Sequence, residues 1–341
     1  MKIVQILGGA EDGGLEKHVI ELAKELKKSN LDISVIAHKK FKNEFTNVNF
    51  IELDLSKGRN NPIILYKLYK ILKKENFDII HTQANKATDM AIKLKPFLKS
   101  KIISTLHSYK KNIKSFEKAD FVITVSNKIG KKIKNKNKIT IYNGIKKEEI
   151  KQINLYEKYD IKKDKFIICA VGRLVEVKKF DVLLKSIKNT DIHIILIGDG
   201  VKKKDLIDLS KKLKIKNQVT FTGEITNNET KEIIQASHLS VITSQREGFS
   251  YFFAESLVLN TPLISTDVAD IKKFIGAKYI VPFSNPKEIS EIINYVKINY
   301  KKIVVDFKEN IFNLKKEFLI DSMIKKTIKI YNEVLHESSR N

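Results

Sequence analysis

The chain of 341 residues has a single cysteine, Cys169, so no internal disulfide can form, and a cytoplasmic setting is expected. That cysteine lies inside the apolar run KFIICAVG and reads as an inert core residue. No run of about 18 apolar residues occurs, so no membrane-spanning helix is expected. The opening MKIVQILGGAEDGG turns polar too soon to supply the apolar region of a signal peptide. The phosphate-loop pattern G-x-x-x-x-G-K-[ST] is missing, and so is the G-x-S-x-G elbow of hydrolases. A dinucleotide fingerprint fails as well: counted from Gly8, the G-x-G-x-x-G spacing meets Ala10, and DISVIAHKK ends without the acidic residue that would bind a ribose. None of the histidines, His18, His38, His81, His107, His193, His238 and His336, pairs with another at convincing metal-ligand spacing, so no metal site is expected.

Acidic residues are also scarce: 40 Asp+Glu stand against 64 Lys+Arg, a formal net charge of +24. Residues 1–150 hold 31 Lys+Arg and 16 Asp+Glu, so they carry +15 of that excess. Part of it is the Lys, Ile and Asn bias of an AT-rich genome. The remainder favours an anionic partner such as a membrane surface or a phosphorylated glycan. The basic stretches SYKKNIKSFEKAD and NKIGKKIKNKNKIT lack interleaved aromatics and match no nucleic-acid module, so no nucleic acid is expected.

What is present is an alternation of short β-branched runs with amphipathic helices. KIVQIL reads as a strand, and LEKHVIELAKELKK follows with Leu15, Val19, Leu22, Ala23 and Leu26 on one face. DISVIAH, VNFIEL, DIIHTQ, KIISTLH, FVITVS and KITIYNG continue the strands, with a helix at PIILYKLYKILKKE. After a charged linker, KKEEIKQINLYEKYDIKKDK, a second series runs through FIICAVG, HIILIGDG, VTFTG, LSVITS and TPLIST. Strands this apolar, separated by helices, imply parallel sheets covered on both faces. The expected architecture is α/β: two doubly wound, Rossmann-like domains at 1–155 and 156–318, with a deep cleft between them. The tail, 319–341, reads as an amphipathic helix that crosses back to the N-terminal domain. Ligands of open α/β sheets bind at strand carboxyl ends, which makes the cleft the default site.

Three stretches carry the chemistry. GGAEDGGLEKH, with Gly13 and Gly14, brings backbone close to a ligand at a helix N-terminus, although a tight turn explains it equally. VGRLVEVKK gathers Arg173 and Lys178 at the end of a strand; arginine forks onto two phosphate oxygens and lysine adds a point charge, although taken alone a solvated loop explains the stretch equally. SQREGFSYFFAES places Glu247 in a loop, starts a helix around Phe249 or Ser250, and carries Glu255 in the opening turns. Those carboxylates can take sugar or ribose hydroxyls while helix N–H groups stay open to a phosphate. Ser126 reads as a helix N-cap, and His81 as a strand-end residue that either faces the acceptor or caps its strand.

The ordered set GGAEDGG…H, STLHS, ADFVITVS, IYNGI, VGRLVEVKKFDVLLKS, IGDG, FTG, REGFSYFFAES and TPLIST resembles the retaining glycosyltransferases of family 4, with the GT-B fold. The resemblance runs along nearly the whole chain. It implies transfer of a sugar from a nucleotide diphosphate donor, UDP-linked in preference to GDP-linked, with no cofactor required. Position by position it assigns Gly13 and Gly14 to the loop near the diphosphate and acceptor, His107 to the donor sugar, and Arg173 with Lys178 to the diphosphate. Glu247 then contacts the donor sugar, Glu255 the ribose, Gly248, Phe249 and Ser250 the phosphate and sugar, and the Gly223 segment the base. Glycosyltransferases of the other main fold need an Asp-x-Asp motif, and this sequence has none. One departure stands out: Gln83 occupies a position where many members carry a second histidine.

The implied acceptor is a glycan or lipid-linked hydroxyl in bacterial surface polysaccharide or lipopolysaccharide assembly. The implied place is the cytoplasm, with the basic surface arguing for attachment to anionic lipid at the inner membrane face. A sugar-nucleotide epimerase of the same architecture, a basic nucleic-acid-binding protein and an idle partner subunit are the competing readings. The conjunction of Arg173, Lys178, Glu247 and Glu255 argues against idleness.

Overall fold

The structure, a computed structural model, describes residues 1–11 and 13–336. It divides into two compact units, Met1–Gly144 with Ile320–Asn341, and Ile145–Leu319. The division falls upstream of the boundary expected at residue 155. The stretch read as a linker is taken into the second unit, where Glu148 pairs with the buried Lys231 and a short helix, Leu155–Lys158, is capped by Asn154.

The first unit is a seven-stranded sheet of β1 (Lys2–Leu7), β2 (Asp32–Ala37), β3 (Asn49–Glu52), β4 (Ile79–Gln83), β5 (Lys101–Leu106), β6 (Phe121–Thr124) and β7 (Lys138–Thr140). The spatial order is β3-β2-β1-β4-β5-β6-β7, and every pairing is parallel. β1 sits centrally, with Ile3 beside Ile33 on one side and Ile79 on the other. Burial of such residues on both faces explains why these strands read as unbroken apolar runs. The first helix, Gly14–Lys28, buries Val19, Leu22, Ala23 and Leu26 against the sheet, the face its spacing predicts. Each buried leucine or valine contributes roughly 1.5–3 kcal/mol.

The tail forms the helix Ile320–His336, and residues 337–341 of the expected segment lie outside the described residues. Its buried positions, Ile320, Met323, Ile324, Thr327, Ile330, Tyr331 and Val334, follow helical spacing and join the core of the first unit. Gly144 makes that junction possible: a Cβ there would stand 2.5 Å from the Ile320 Cα.

The second unit is a five-stranded parallel sheet of β8 (Phe166–Val171), β9 (Ile192–Ile197), β10 (Val219–Gly223), β11 (Leu239–Ile242) and β12 (Leu263–Ser265), in the order β10-β9-β8-β11-β12. In both sheets the chain reverses its direction of growth once, between β1 and β4 and between β8 and β11. A parallel sheet opens a crevice at the carboxyl ends of such a strand pair. Cys169 sits in β8, wholly buried, and burial pushes its thiol up to about 11, as suits an inert core residue.

Candidate active site

In the second unit the loops after β8 and β11 meet at the reversal point. Gly172 ends β8 with φ +150, and a Cβ there would lie 3.1 Å from the Lys178 Cε, so glycine leaves the space that the lysine stem fills. Two glycines of the GDG turn after β9 press on this loop from below. Gly198 has φ +126, and its Cβ would fall 2.3 Å from the Gly172 carbonyl oxygen. Gly200 would collide likewise with the Leu174 backbone at 2.6 Å. Backbone bonds fix the stack: Gly172 N–H donates to Ile197 O at 3.0 Å and Leu174 N–H to Asp199 O at 2.8 Å.

The loop after β11 is stitched to the loop after β8 from the other side. Thr243 Oγ1 donates to Lys178 O at 2.8 Å, and Gln245 N–H donates to Val177 O at 2.8 Å. Lys178 Nζ then donates to Glu247 Oε1 at 2.7 Å, and Ser244 Oγ donates to the same oxygen at 2.7 Å. Lys178 and Glu247, given separate tasks by the sequence, are thus held against each other. Arg173 is exposed on the same loop and has no ion pair among the described residues. Lys179, adjacent to Lys178, turns instead to Glu176.

The helix expected to start at Phe249 or Ser250 runs from Tyr251 to Val258. Ser250 is its N-cap, and the hydroxyl accepts from Phe253 N–H at 3.2 Å, which commits that side chain to the fold. Phe249 is half-buried, with its ring 5.4 Å from Tyr251 and 6.3 Å from Phe318, and Gly248 is half-buried beside it. Glu255 falls in the second turn and is 4% exposed, lining a small cavity with Lys231 and Glu148. Gly223 closes β10 with φ +71, and its carbonyl accepts from Gly198 N–H at 2.9 Å.

In the first unit a second polar group gathers at the carboxyl ends of β1, β4 and β5. Gly8 lets the chain pass close to the helix Ala84–Leu94, since its Cβ would meet Ala87 N at 3.2 Å. Gly13 is extended, with φ 176, and precedes the first helix, which Gly14 begins; Asp12 lies outside the described residues. Glu16, in the first turn, is buried and places its carboxylate 3.6 Å and 3.4 Å from where Cβ atoms on Gly9 and Gly13 would stand. An acidic side chain therefore already occupies the favourable end of that helix.

His107 follows β5, half-buried, with its Nε2 2.8 Å from Gln83 Oε1. Its ring centroid is 4.7 Å from that of His18, in edge contact. Burial, with His18 and His81 nearby, holds the His107 imidazole well below its ordinary value, so it is neutral. His18 is also buried and pushed down to about 4 by that burial. Asn143 sits close enough to oppose the shift, yet neither His18 nitrogen nor Asn143 Oδ1 meets hydrogen-bond geometry.

Two sequence expectations are corrected. His81 is not an acceptor-side residue at a strand end: it lies mid-strand, fully buried, with Nδ1 2.6 Å from Tyr331 Oη and Nε2 2.7 Å from Thr105 Oγ1. Both nitrogens are spent on the fold. Ser126 occupies the N-cap position of the helix Asn127–Gly130, but its buried hydroxyl makes no cap bond. Gln83 makes a contact with His107 that the sequence did not reveal. Only its departure from the family pattern marked it. Among the described residues no three His, Cys, Asp or Glu side chains converge as a metal-ligating group.

Residues 12–149 match the family described as Glycosyltransferase Family 4, and residues 151–313 match Glycosyl transferases group 1. An uncharacterized glycosyltransferase of Methanocaldococcus jannaschii is 28% identical, covering 94% of this chain and 95% of its own length. The O-antigen biosynthesis glycosyltransferase WclY of Escherichia coli is 24% identical, over 77% of this chain and 81% of that protein. Anabaena HepE, solved in complex with UDP and glucose, superposes with a TM-score of 0.84 at 16% identity, covering 98% of this chain and 100% of that one. Two matching family halves in the right order, over two parallel sheets with these loops, lead to one identification: the chain belongs to glycosyltransferase family 4 and is a sugar-transferring enzyme of the GT-B fold.

Proposed function

We propose that the chain moves a sugar from a nucleotide diphosphate donor, UDP-linked in preference to GDP-linked, onto a hydroxyl of a glycan or lipid-linked acceptor, with retention of anomeric configuration. The setting is bacterial surface polysaccharide or lipopolysaccharide assembly. The observation that carries this reading is the joining of Lys178 to Glu247 across the paired loops after β8 and β11, with Arg173 exposed on the first of them. The UDP and glucose of the similar Anabaena structure support the donor class, and the name of the similar E. coli protein supports the pathway class.

The chemistry follows from charge. Breaking the anomeric C–O bond leaves negative charge on the diphosphate and positive charge on the sugar ring. Lysine has three N–H donors, and Glu247 takes one, so Lys178 can hold the carboxylate and a phosphate oxygen together. Arg173 adds a fork for the second phosphate. Electrostatic stabilisation of this kind is worth on the order of 3 kcal/mol per donor. Glu247, kept in place by Lys178 and Ser244, orients the donor sugar. The acceptor oxygen attacks on the face the diphosphate leaves, its proton passes to the departing phosphate oxygen, and the new C–O bond keeps the original configuration.

In this reading Glu255 takes the ribose, the Gly223 segment takes the base, and the backbone of Gly248, Phe249 and Ser250 lies along the phosphate and sugar. His107 addresses the donor sugar, and Gly13 and Gly14 lie near the diphosphate and acceptor. No metal or other cofactor takes part, so turnover is expected to survive EDTA.

A basic, partly aromatic surface on the first unit suits an anionic bilayer. The helix Pro62–Glu75 exposes Ile63 at 63% and Tyr66 at 58%, flanked by exposed Lys67, Lys70, Lys73 and Lys74. Phe97, 67% exposed, reaches the same surface through its ring contact with Tyr69 at 6.2 Å. No helix among the described residues is long and apolar enough to cross a membrane. Binding at the interface by apolar side chains plus lysines is the alternative such a surface offers. Flotation with anionic vesicles, lost in Tyr66→Ser/Phe97→Ser and absent with neutral vesicles, is the expected result; equal binding to neutral vesicles overturns it.

The donor assignment is tested by thermal shift with UDP and GDP, followed by product analysis with UDP-sugars. A stabilisation by UDP that vanishes in Arg173→Ala and Lys178→Ala supports it. Failure of every nucleoside diphosphate to bind overturns it. Isomerisation of the donor without an acceptor would replace transferase by epimerase.

A further inference from the structure

The most unusual feature outside the donor loops is a relay of buried amides leading to His107. Gln83 ends β4, 1% exposed, and its Oε1 stands 2.8 Å from His107 Nε2. Its Nε2 donates to Gln5 Oε1 at 3.2 Å, and Gln5, on β1, is fully buried. Register explains the contact: Gln83 lies beside Leu7 of β1 and Thr105 of β5, at the last paired position of β4, so its side chain bridges the strands just where His107 leaves the sheet. An amide oxygen only accepts, so with Gln83 Oε1 turned toward it the imidazole presents Nε2–H. The lone pair then resides on Nδ1. Among the polar side chains here, Gln5, His18, Gln83 and Asn143 are buried, and His107 alone is half-exposed.

We propose that Gln83 is a positioning residue that fixes the tautomer and orientation of His107, presenting Nδ1 as the acceptor for a substrate hydroxyl. The inference rests on the reading of His107 as a substrate-contacting residue. Gln83 does not touch substrate; it acts through the imidazole. A second histidine at this position could serve as either donor or acceptor and could change protonation, whereas the amide oxygen offers one role only. The groups facing His107 that titrate are His18 from the first helix and His81 from β4, and both are buried. Burial disfavours charge on either, which leaves the amide oxygen to set the hydrogen position.

Long-range ¹H–¹⁵N spectra of the full chain labelled at histidine read the tautomer directly, with His107→Ala identifying the resonance. The wild type is expected to show the Nε2–H form alone. Gln83→Leu is expected to show both forms and to lower kcat/KM roughly tenfold, with its melting temperature and the His81 resonance confirming that it folds. Gln83→Glu keeps an acceptor oxygen and therefore the Nε2–H form, but its charge favours the imidazolium. Its activity should fall toward low pH along a limb that the wild type lacks. A wild-type Nδ1–H form, or a tautomer unmoved by Gln83→Leu, overturns the proposal. If His107→Ala keeps full turnover while the tautomer behaves as described, the role of His107 fails and the positioning does not. If His107→Ala is inactive and Gln83→Leu is fully active, the positioning fails alone.

Discussion

Lys178 and Glu247, 69 residues apart in sequence, share a 2.7 Å hydrogen bond that ties the loop after β8 to the loop after β11. Both side chains are mostly buried, at 22% and 12% exposure, which is more enclosure than a surface ion pair has. Lys178→Ala is expected to lower turnover about a hundredfold while moving the melting temperature little, because the bonds from the Thr243 hydroxyl to Lys178 O and from Gln245 N–H to Val177 O still hold the loops. Glu247→Gln should also lower turnover. In a double-mutant cycle the two should couple, since each positions the other. Additive losses in kcat would show that the pair does not act as a unit.

Gly198 offers a stability test with a steric cause. At φ +126 an L side chain is strained, and its Cβ would sit 2.3 Å from a backbone oxygen that cannot move without dragging Gly172. Gly198→Ala is expected to destabilise the protein by about 3 kcal/mol or more and to displace the Arg173–Lys178 loop. Denaturant titration and UDP binding measure the two effects, and a variant with unchanged midpoint and affinity would refute the packing described.

Tyr331 and His81 give a contrasting case, in which a polar bond inside the core is the target. Removing the hydroxyl in Tyr331→Phe leaves the buried His81 Nδ1 without a partner, at a loss of about 1–3 kcal/mol. The site residues are untouched, so kcat/KM should hold at temperatures where the variant is folded. Equal midpoints in urea would contradict the assignment.

The buried histidines also set a pH dependence. His18 and His81 are pushed down to about 4 and about 3 in the folded chain, against an ordinary 6.5. The unfolded chain therefore binds more protons than the folded one between roughly pH 6.5 and pH 4, and stability falls as pH falls through that window. Each histidine contributes on the order of 1 kcal/mol per pH unit there. Urea midpoints should drop steadily from pH 7 to pH 5. A flat profile across that interval would require the imidazoles to be more accessible to protons than their burial permits.

The strands were readable because two-sided burial makes them continuous apolar runs, and the first helix and the tail because their apolar residues keep helical spacing. The helix Ala84–Leu94 is not announced by its sequence because its buried face, Ala87, Thr88, Met90, Ala91 and Leu94, carries two alanines and a threonine that thin the apolar stripe. The strand–loop–helix contexts placed Arg173, Lys178 and Glu247 in the loops after β8 and β11, since glycines and charges mark loops. Their mutual contact could not be read, because it depends on the β8–β11 adjacency of strands distant in sequence. The same holds for His81, Gln83 and His107. A lone histidine reads identically whether it bonds a tyrosine 250 residues away or a glutamine 24 residues away, and only the folded register separates the two.

Gly144 against Ile320 has a consequence for biosynthesis. The second unit is one uninterrupted stretch, whereas the first is assembled from the two segments that flank it. As the chain emerges from the ribosome, residues 1–144 must wait, with the core positions that Tyr331 and Met323 fill still open, until residues 320–336 have been made. Truncation just before Ile320 would therefore leave the second unit able to form and strand the half made first.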